Sequence, residues 1–125
     1  MVSNQRCVAR GLTKVEDPDM IHQYSIKEIT STRGRIDKIY FCTDLEQTSP
    51  NRKPNDGMGS QAKKEFQQIN FAKSIMVGNK IADTKFGRNP GCKTVFLPTT
   101  NPETDPAENQ ICAVFNSLIG FAKTL

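Results

Sequence analysis

Apolar positions fall along the chain in short runs separated by polar, turn-forming stretches, and the runs differ in their period. The segment Gln23-Tyr-Ser-Ile-Lys-Glu-Ile-Thr30 is rich in β-branched and aromatic residues and predicts a strand. Glu16-Asp-Pro-Asp19 precedes it as a turn signature, and Ser31-Thr-Arg-Gly34 follows as a reversal. Arg35-Ile-Asp-Lys-Ile-Tyr-Phe-Cys-Thr43 predicts a second strand, so residues 23–43 are most simply a β-hairpin. Residues 47–61 concentrate Pro, Gly, Asn and Ser and predict a loop long enough to be either mobile or functional.

Beyond that loop, residues 64–77 are open to a helical reading, but the strand reading separates the faces better. It places Ile69, Phe71, Ile75 and Val77 on one side and Lys64, Gln68, Asn70 and Ser74 on the other. Residues 78–92, with Gly78, Gly87 and Gly91, predict a second loop, and Cys92-Lys-Thr-Val-Phe-Leu-Pro98 a short strand closed by proline. The tail predicts a helix from Pro106 to about Lys123, with Asp105 as N-cap and Glu108 near the positive end of the helix. On that helix Ile111, Val114, Phe115, Leu118 and Ala122 form one stripe, and Cys112, Ala113, Ile119 and Phe121 widen it. A helix covering one sheet needs a stripe of only about 100°. The surplus is either the mark of a helix buried in a monomer core or of one that also meets a partner subunit.

Composition narrows the function classes. The 125 residues fit one domain. No apolar run approaches the ~18 residues that span a bilayer, and the N-terminus lacks a signal peptide's apolar block, so a soluble protein without membrane contact is expected. Cys7, Cys42, Cys92 and Cys112 are widely spaced, with no C-x-x-C pair and a single His22, which argues for reduced thiols and no metal or other cofactor. His22 has no nucleophile motif nearby and is expected on the surface or on a strand. Gly57-Met-Gly59 lacks the ending of a phosphate loop. With no acid and base pair or metal cluster in view, an enzyme is not expected. The formal charge of +4 is uneven: residues 63–93 carry seven basic and two acidic side chains, which points to polyanion contact.

The order of elements resembles the coat proteins of single-stranded RNA bacteriophages. The stretches that carry the resemblance are Gln23-Tyr-Ser-Ile-Lys-Glu-Ile-Thr-Ser-Thr32, Cys42-Thr-Asp-Leu-Glu46, Asn51-Arg-Lys-Pro-Asn55, and the ending from Val95 through Phe115 and Leu118. The resemblance implies an α+β fold: an antiparallel β-sheet with an N-terminal hairpin and a C-terminal helix, completed as an intertwined dimer. It implies one coat domain over residues 1–125, with strands over about 20–98 and the helix over about 106–123. The implied function is a capsid subunit of the virion, assembled in the host cytoplasm. Its homodimers would build an icosahedral shell that packages single-stranded RNA, and an RNA hairpin bound as translational repressor would fit the same reading.

On this reading the RNA face comprises Lys38, Tyr40, Lys64, Gln68 and Asn70, and the dimer interface Ile111, Val114, Phe115, Leu118 and Ile119. The loop 78–92 would line symmetry axes, where Cys92 is either an inter-subunit crosslink or a reduced thiol. The alternative is a small non-capsid nucleic-acid-binding module, which accounts for the basic middle segment but not for the surplus apolar helix face.

Overall fold

The computed structural model describes residues 1–12, 16–100, 102, 105–107 and 111–125. They form two compact units, residues 1–58 and 59–125, each described here by itself. In the first unit β1 (Val2–Asn4) pairs in parallel with β2 (Tyr40–Cys42), in the register Val2 to Tyr40, Ser3 to Phe41 and Asn4 to Cys42. Parallel neighbours need a long crossover. Here it is made by α1 (Arg6–Ala9) and α2 (Glu16–Ser31).

The α2 helix occupies the segment expected to be the first strand of a hairpin. Pro18 sits in its first turn, where a missing N–H is tolerated, and Asp17 and Asp19 lie near its positive end. Its covered positions are Pro18, His22, Ser25 and Ile26, at helical spacing. Half of that stripe is polar by residue type, whereas Met20, Ile21 and Tyr24 are exposed, so hydrophobicity alone gives the wrong period. His22, expected on the surface or on a strand, is a buried helix residue whose ring lies 5.2 Å from that of Phe41. The Ser31–Gly34 reversal ends the helix instead of joining two strands: Arg33 has φ 63 and the Gly34 N–H donates to the Ile29 carbonyl.

The second unit holds a three-stranded parallel sheet in the order β3 (Ile75–Gly78), β4 (Lys93–Phe96), β5 (Ala113–Val114). The expected antiparallel sheet is therefore corrected to parallel pairing in both units. The helix α4 (Ile81–Arg88) joins β3 to β4 and packs on both, in the segment expected to be a loop. Phe86, Val95 and Phe96 are buried in this unit, and Thr94 is fully enclosed. Gly87 lets α4 approach the sheet closely, because a Cβ there would lie 2.3 Å from the Met76 Cβ. Before β3, residues 64–77 are not one strand: α3 (Gly57–Glu65) ends there, a 3-10 turn spans Phe71–Lys73, and the strand begins only at Ile75. The strand expected over residues 92–98 is present as β4.

The expected helix over 106–123 is replaced. Asp105 accepts the Ala107 N–H at 2.8 Å, as a cap would, but the Cys112 and Phe115 N–H groups donate to the Thr94 and Phe96 carbonyls of β4. Pairing with β4 thus takes this segment into the sheet as β5. A short helix, α5 (Leu118–Ala122), follows, capped by Ser117, whose hydroxyl accepts the Gly120 N–H at 3.0 Å. Glu108 lies outside the described residues.

Candidate functional site

In open α/β sheets ligands bind beyond the carboxyl ends of the strands, where successive loops converge. In the first unit the carboxyl end of β1 is Ser3-Asn4-Gln5. The Gln5 N–H extends the ladder to the Cys42 carbonyl at 2.7 Å, and the Gln5 side-chain amide donates to the Ser3 hydroxyl at 3.0 Å. Facing this end is Arg52-Lys53-Pro54, presented by the long polar loop. The Lys53 N–H donates to the Asn4 side-chain oxygen at 3.1 Å, and the Asn4 side-chain NH2 donates to the Lys53 carbonyl at 3.2 Å. The Lys53 ammonium donates to the Val2 carbonyl at 3.1 Å. The Lys53–Pro54 peptide is cis.

The loop holds its shape through its own polar groups. The Asn55 amide donates to the carbonyls of Gln47 and Ser49 at 2.9 and 2.8 Å, and the Gly57 N–H donates to the Pro50 carbonyl at 2.9 Å. Arg52 is only 3% exposed and donates to the Asp44 carbonyl at 2.8 Å, while the Asp44 carboxylate accepts from the Ser49 hydroxyl. A guanidinium bonded to a neutral carbonyl keeps its positive charge, so Arg52 and Lys53 bring two cations from one short stretch of the loop.

The second unit repeats the layout at the carboxyl end of β3. Asp83, buried in the first turn of α4, accepts the N–H groups of Asn79 and Lys80 at 3.2 and 3.1 Å. A Cβ on Gly78 would lie 2.2 Å from the Asp83 Cβ, so glycine is required for this close turn. The Asn79 amide donates to the Thr99 hydroxyl at 3.3 Å, and the Thr100 hydroxyl donates to the Asn79 carbonyl at 3.0 Å. Loop 78–80 is thereby tied to the carboxyl end of β4.

The residues assigned to an RNA face are distributed differently. Tyr40 is buried on β2, with the Lys38 ammonium 5.7 Å from its ring centroid, and both belong to the first unit. Lys64 is on α3, and Gln68 and Asn70 lie on the turns after it, where Asn70 accepts the Ala72 N–H at 3.1 Å. Gln68 and Asn70 line one shallow cavity with Lys63 and Phe71. Of the residues assigned to a dimer interface, Val114 is on β5, Leu118 and Ile119 are exposed on α5, and Ile111 and Phe115 flank β5. The Phe115 ring packs on Phe121 at 5.3 Å. No one helical stripe joins them. Cys92 is a free thiol in the structure. Sequence reasoning passed over Ser3, Asn4, Arg52, Lys53 and Asp83. The available signals were a basic pair inside a Pro- and Gly-rich loop and a Gly-Asn-Lys turn directly after the apolar run 75–77.

No protein-family model matches the chain. A D-glycero-beta-D-manno-heptose-1,7-bisphosphate 7-phosphatase of Helicobacter pylori is 30% identical over 125 residues, covering 98% of this chain and 71% of that protein. The corresponding protein of Yersinia pestis is 32% identical over all of this chain and 71% of its own length. The chain belongs to the heptose-1,7-bisphosphate 7-phosphatase family. A D-glycero-alpha-D-manno-heptose-1,7-bisphosphate 7-phosphatase of Campylobacter jejuni is 36% identical over 97 residues, 78% of this chain and 55% of that protein. The chain thus spans between about half and seven tenths of the length of these relatives.

The crystal structure of the D,D-heptose 1,7-bisphosphate phosphatase from B. bronchiseptica, complexed with magnesium and phosphate, matches over 98% of this chain and 70% of its own, with a TM-score of 0.85 at 23% identity. The two share one fold, in which this chain's strands pair in parallel. These findings overturn the coat-protein resemblance and the fold and function drawn from it. The relatives are bacterial phosphatases, so the capsid and virion, the single-stranded RNA partner, the nucleic-acid-binding alternative and the expectation of a non-enzyme all fall. Among the described residues no helix is long and apolar enough to cross a membrane.

Proposed function

We propose that this chain acts in the hydrolysis of the 7-phosphate of D-glycero-D-manno-heptose 1,7-bisphosphate, and that the carboxyl end of β1 with Arg52 and Lys53 receives a phosphate group of the substrate. The observation that carries the reading is the backbone of Lys53, held at that strand end by Asn4 with Arg52 next to it in sequence, in a chain of this family. An ammonium and a guanidinium there offset the charge of a phosphate monoester, and the Ser3 hydroxyl adds a neutral donor beside them. Held in place before substrate arrives, such groups stabilise charge on the phosphoryl oxygens without reorganising.

The B. bronchiseptica structure holds magnesium as well as phosphate. Magnesium is held through one or two carboxylates together with water and phosphate oxygens. Among the described residues no group of three His, Cys, Asp or Glu side chains could hold a metal. The buried carboxylate at the β3 end, Asp83, is bonded to two backbone N–H groups. The chemistry assigned to the described residues is binding and charge neutralisation.

The test is phosphate release from synthetic heptose 1,7-bisphosphate, in buffer containing magnesium, with heptose 1-phosphate and heptose 7-phosphate as comparison substrates. Release of the 7-phosphate, lost in Lys53→Met, supports the reading. Failure of the chain both to hydrolyse the bisphosphate and to bind it overturns it.

A further inference from the structure

We infer that Asn4 is a positioning residue for Lys53, holding its backbone at the carboxyl end of β1 from which its side chain reaches; this rests on the function proposed above. The Asn4 carboxamide both accepts the Lys53 N–H and donates to the Lys53 carbonyl, at 3.1 and 3.2 Å. A primary carboxamide has the donor and acceptor of a peptide group, so this two-point contact works like one rung of a sheet ladder. It joins residues 49 positions apart. The same lysine returns to β1 through its side chain, donating to the Val2 carbonyl at 3.1 Å.

Backbone and ammonium of Lys53 are therefore both referenced to β1 rather than to the loop that carries them. An ammonium on a four-carbon stem loses rotamer entropy when it binds an anion, and anchoring its backbone reduces what remains to be ordered. Asn is suited to the task in a way its near relatives are not. Asp keeps an acceptor for the Lys53 N–H but has no donor for the Lys53 carbonyl, and Ala has neither.

The experiment is a double-mutant cycle on the full chain, with binding of inorganic phosphate measured by titration calorimetry and folding checked by circular dichroism. Wild type binds phosphate, and Lys53→Met weakens it by about tenfold or more, as loss of a charged hydrogen bond does. Asn4→Ala weakens it ~5-fold, and the near-isosteric Asn4→Leu does the same, because both bonds to Lys53 are lost. In the Lys53→Met background Asn4→Ala has no further effect, since a residue acting through another is silent once that other is gone. Additive effects, or unchanged affinity in Asn4→Ala, overturn the inference. Should Asn4→Ala fail to fold, the same cycle run with the near-isosteric Asn4→Leu decides it. Unchanged phosphate affinity in Lys53→Met instead overturns the placing of phosphate at Lys53, an outcome distinct from failure of the positioning role.

Discussion

The buried carboxylate of Asp83 accepts the backbone N–H groups of both Asn79 and Lys80, which fixes the turn that links β3 to α4. A charged acceptor shared by two amides at a helix start is among the stronger local contacts of the second unit. Asp83→Ala is expected to lower unfolding stability by about 1–3 kcal/mol, because two donors lose their partner. Urea melts of the two proteins measure it, and equal midpoints with equal slopes would show that the contact carries no stability.

Gly87 sits where α4 approaches β3, and the methyl group of an alanine there would be driven into Met76, 2.3 Å away. Gly87→Ala should therefore destabilise by about 1–3 kcal/mol despite the better helix propensity of alanine, since overpacking outweighs that gain. Removing the Cβ of the neighbour in a Gly87→Ala, Met76→Gly double variant should recover part of the loss relative to the sum of the single effects. Thermal denaturation of the four proteins would reveal strict additivity if the clash is not the cause.

His22 is buried against the Phe41 ring, on the face by which α2 covers the first unit. Replacing it with Ala removes that aromatic contact and leaves a gap, and a loss of about 1–3 kcal/mol is expected. The exposed neighbour Tyr24 serves as control, and Tyr24→Ala should change the denaturation midpoint little. Equal effects of the two substitutions would contradict the assignment of the covered face.

The cysteines differ in their ionisation. Hydrogen bonding from the Thr94 backbone, then from its hydroxyl, lowers the pKa of exposed Cys112, with Lys93 and Arg88 assisting, whereas burial raises that of Cys92. A lowered pKa leaves more thiolate near neutral pH, and thiolate is the reactive form. Cys112 should be alkylated by iodoacetamide before Cys92 between pH 7 and pH 8 (conditions chosen near the ordinary thiol pKa of about 8.5), with its rate levelling off at the lower pH. Peptide mapping of timed samples checks the order. Thr94→Val should slow alkylation of Cys112.

Parts of this arrangement were legible beforehand. The run Lys93–Phe96 is a strand as expected, because four residues with Thr, Val and Phe between a glycine and a proline admit little else. Of the loop expected over residues 47–61, residues 47–56 are loop and carry Arg52 and Lys53, whereas residues 57–61 belong to α3. The other elements were misread for one recurring reason. In α2 the covered stripe is Pro, His, Ser and Ile, so the apolar pattern followed exposed residues, and in the tail an apolar stretch of helical spacing pairs with β4 instead.

The amino-acid sequence by itself determined the polar loop over residues 47–56 and the short apolar runs that become β3 and β4. It also carried the family, since identity spread along nearly the whole chain reflects many positions that no single motif displays. Only the tertiary structure decided that the strands are parallel, that residues 16–31 are helical, and that Asn4 and Lys53 meet across 49 positions. The physical reason is that hydrogen bonds between distant segments leave no periodic trace in either segment, and where burial is shallow they outweigh local propensity.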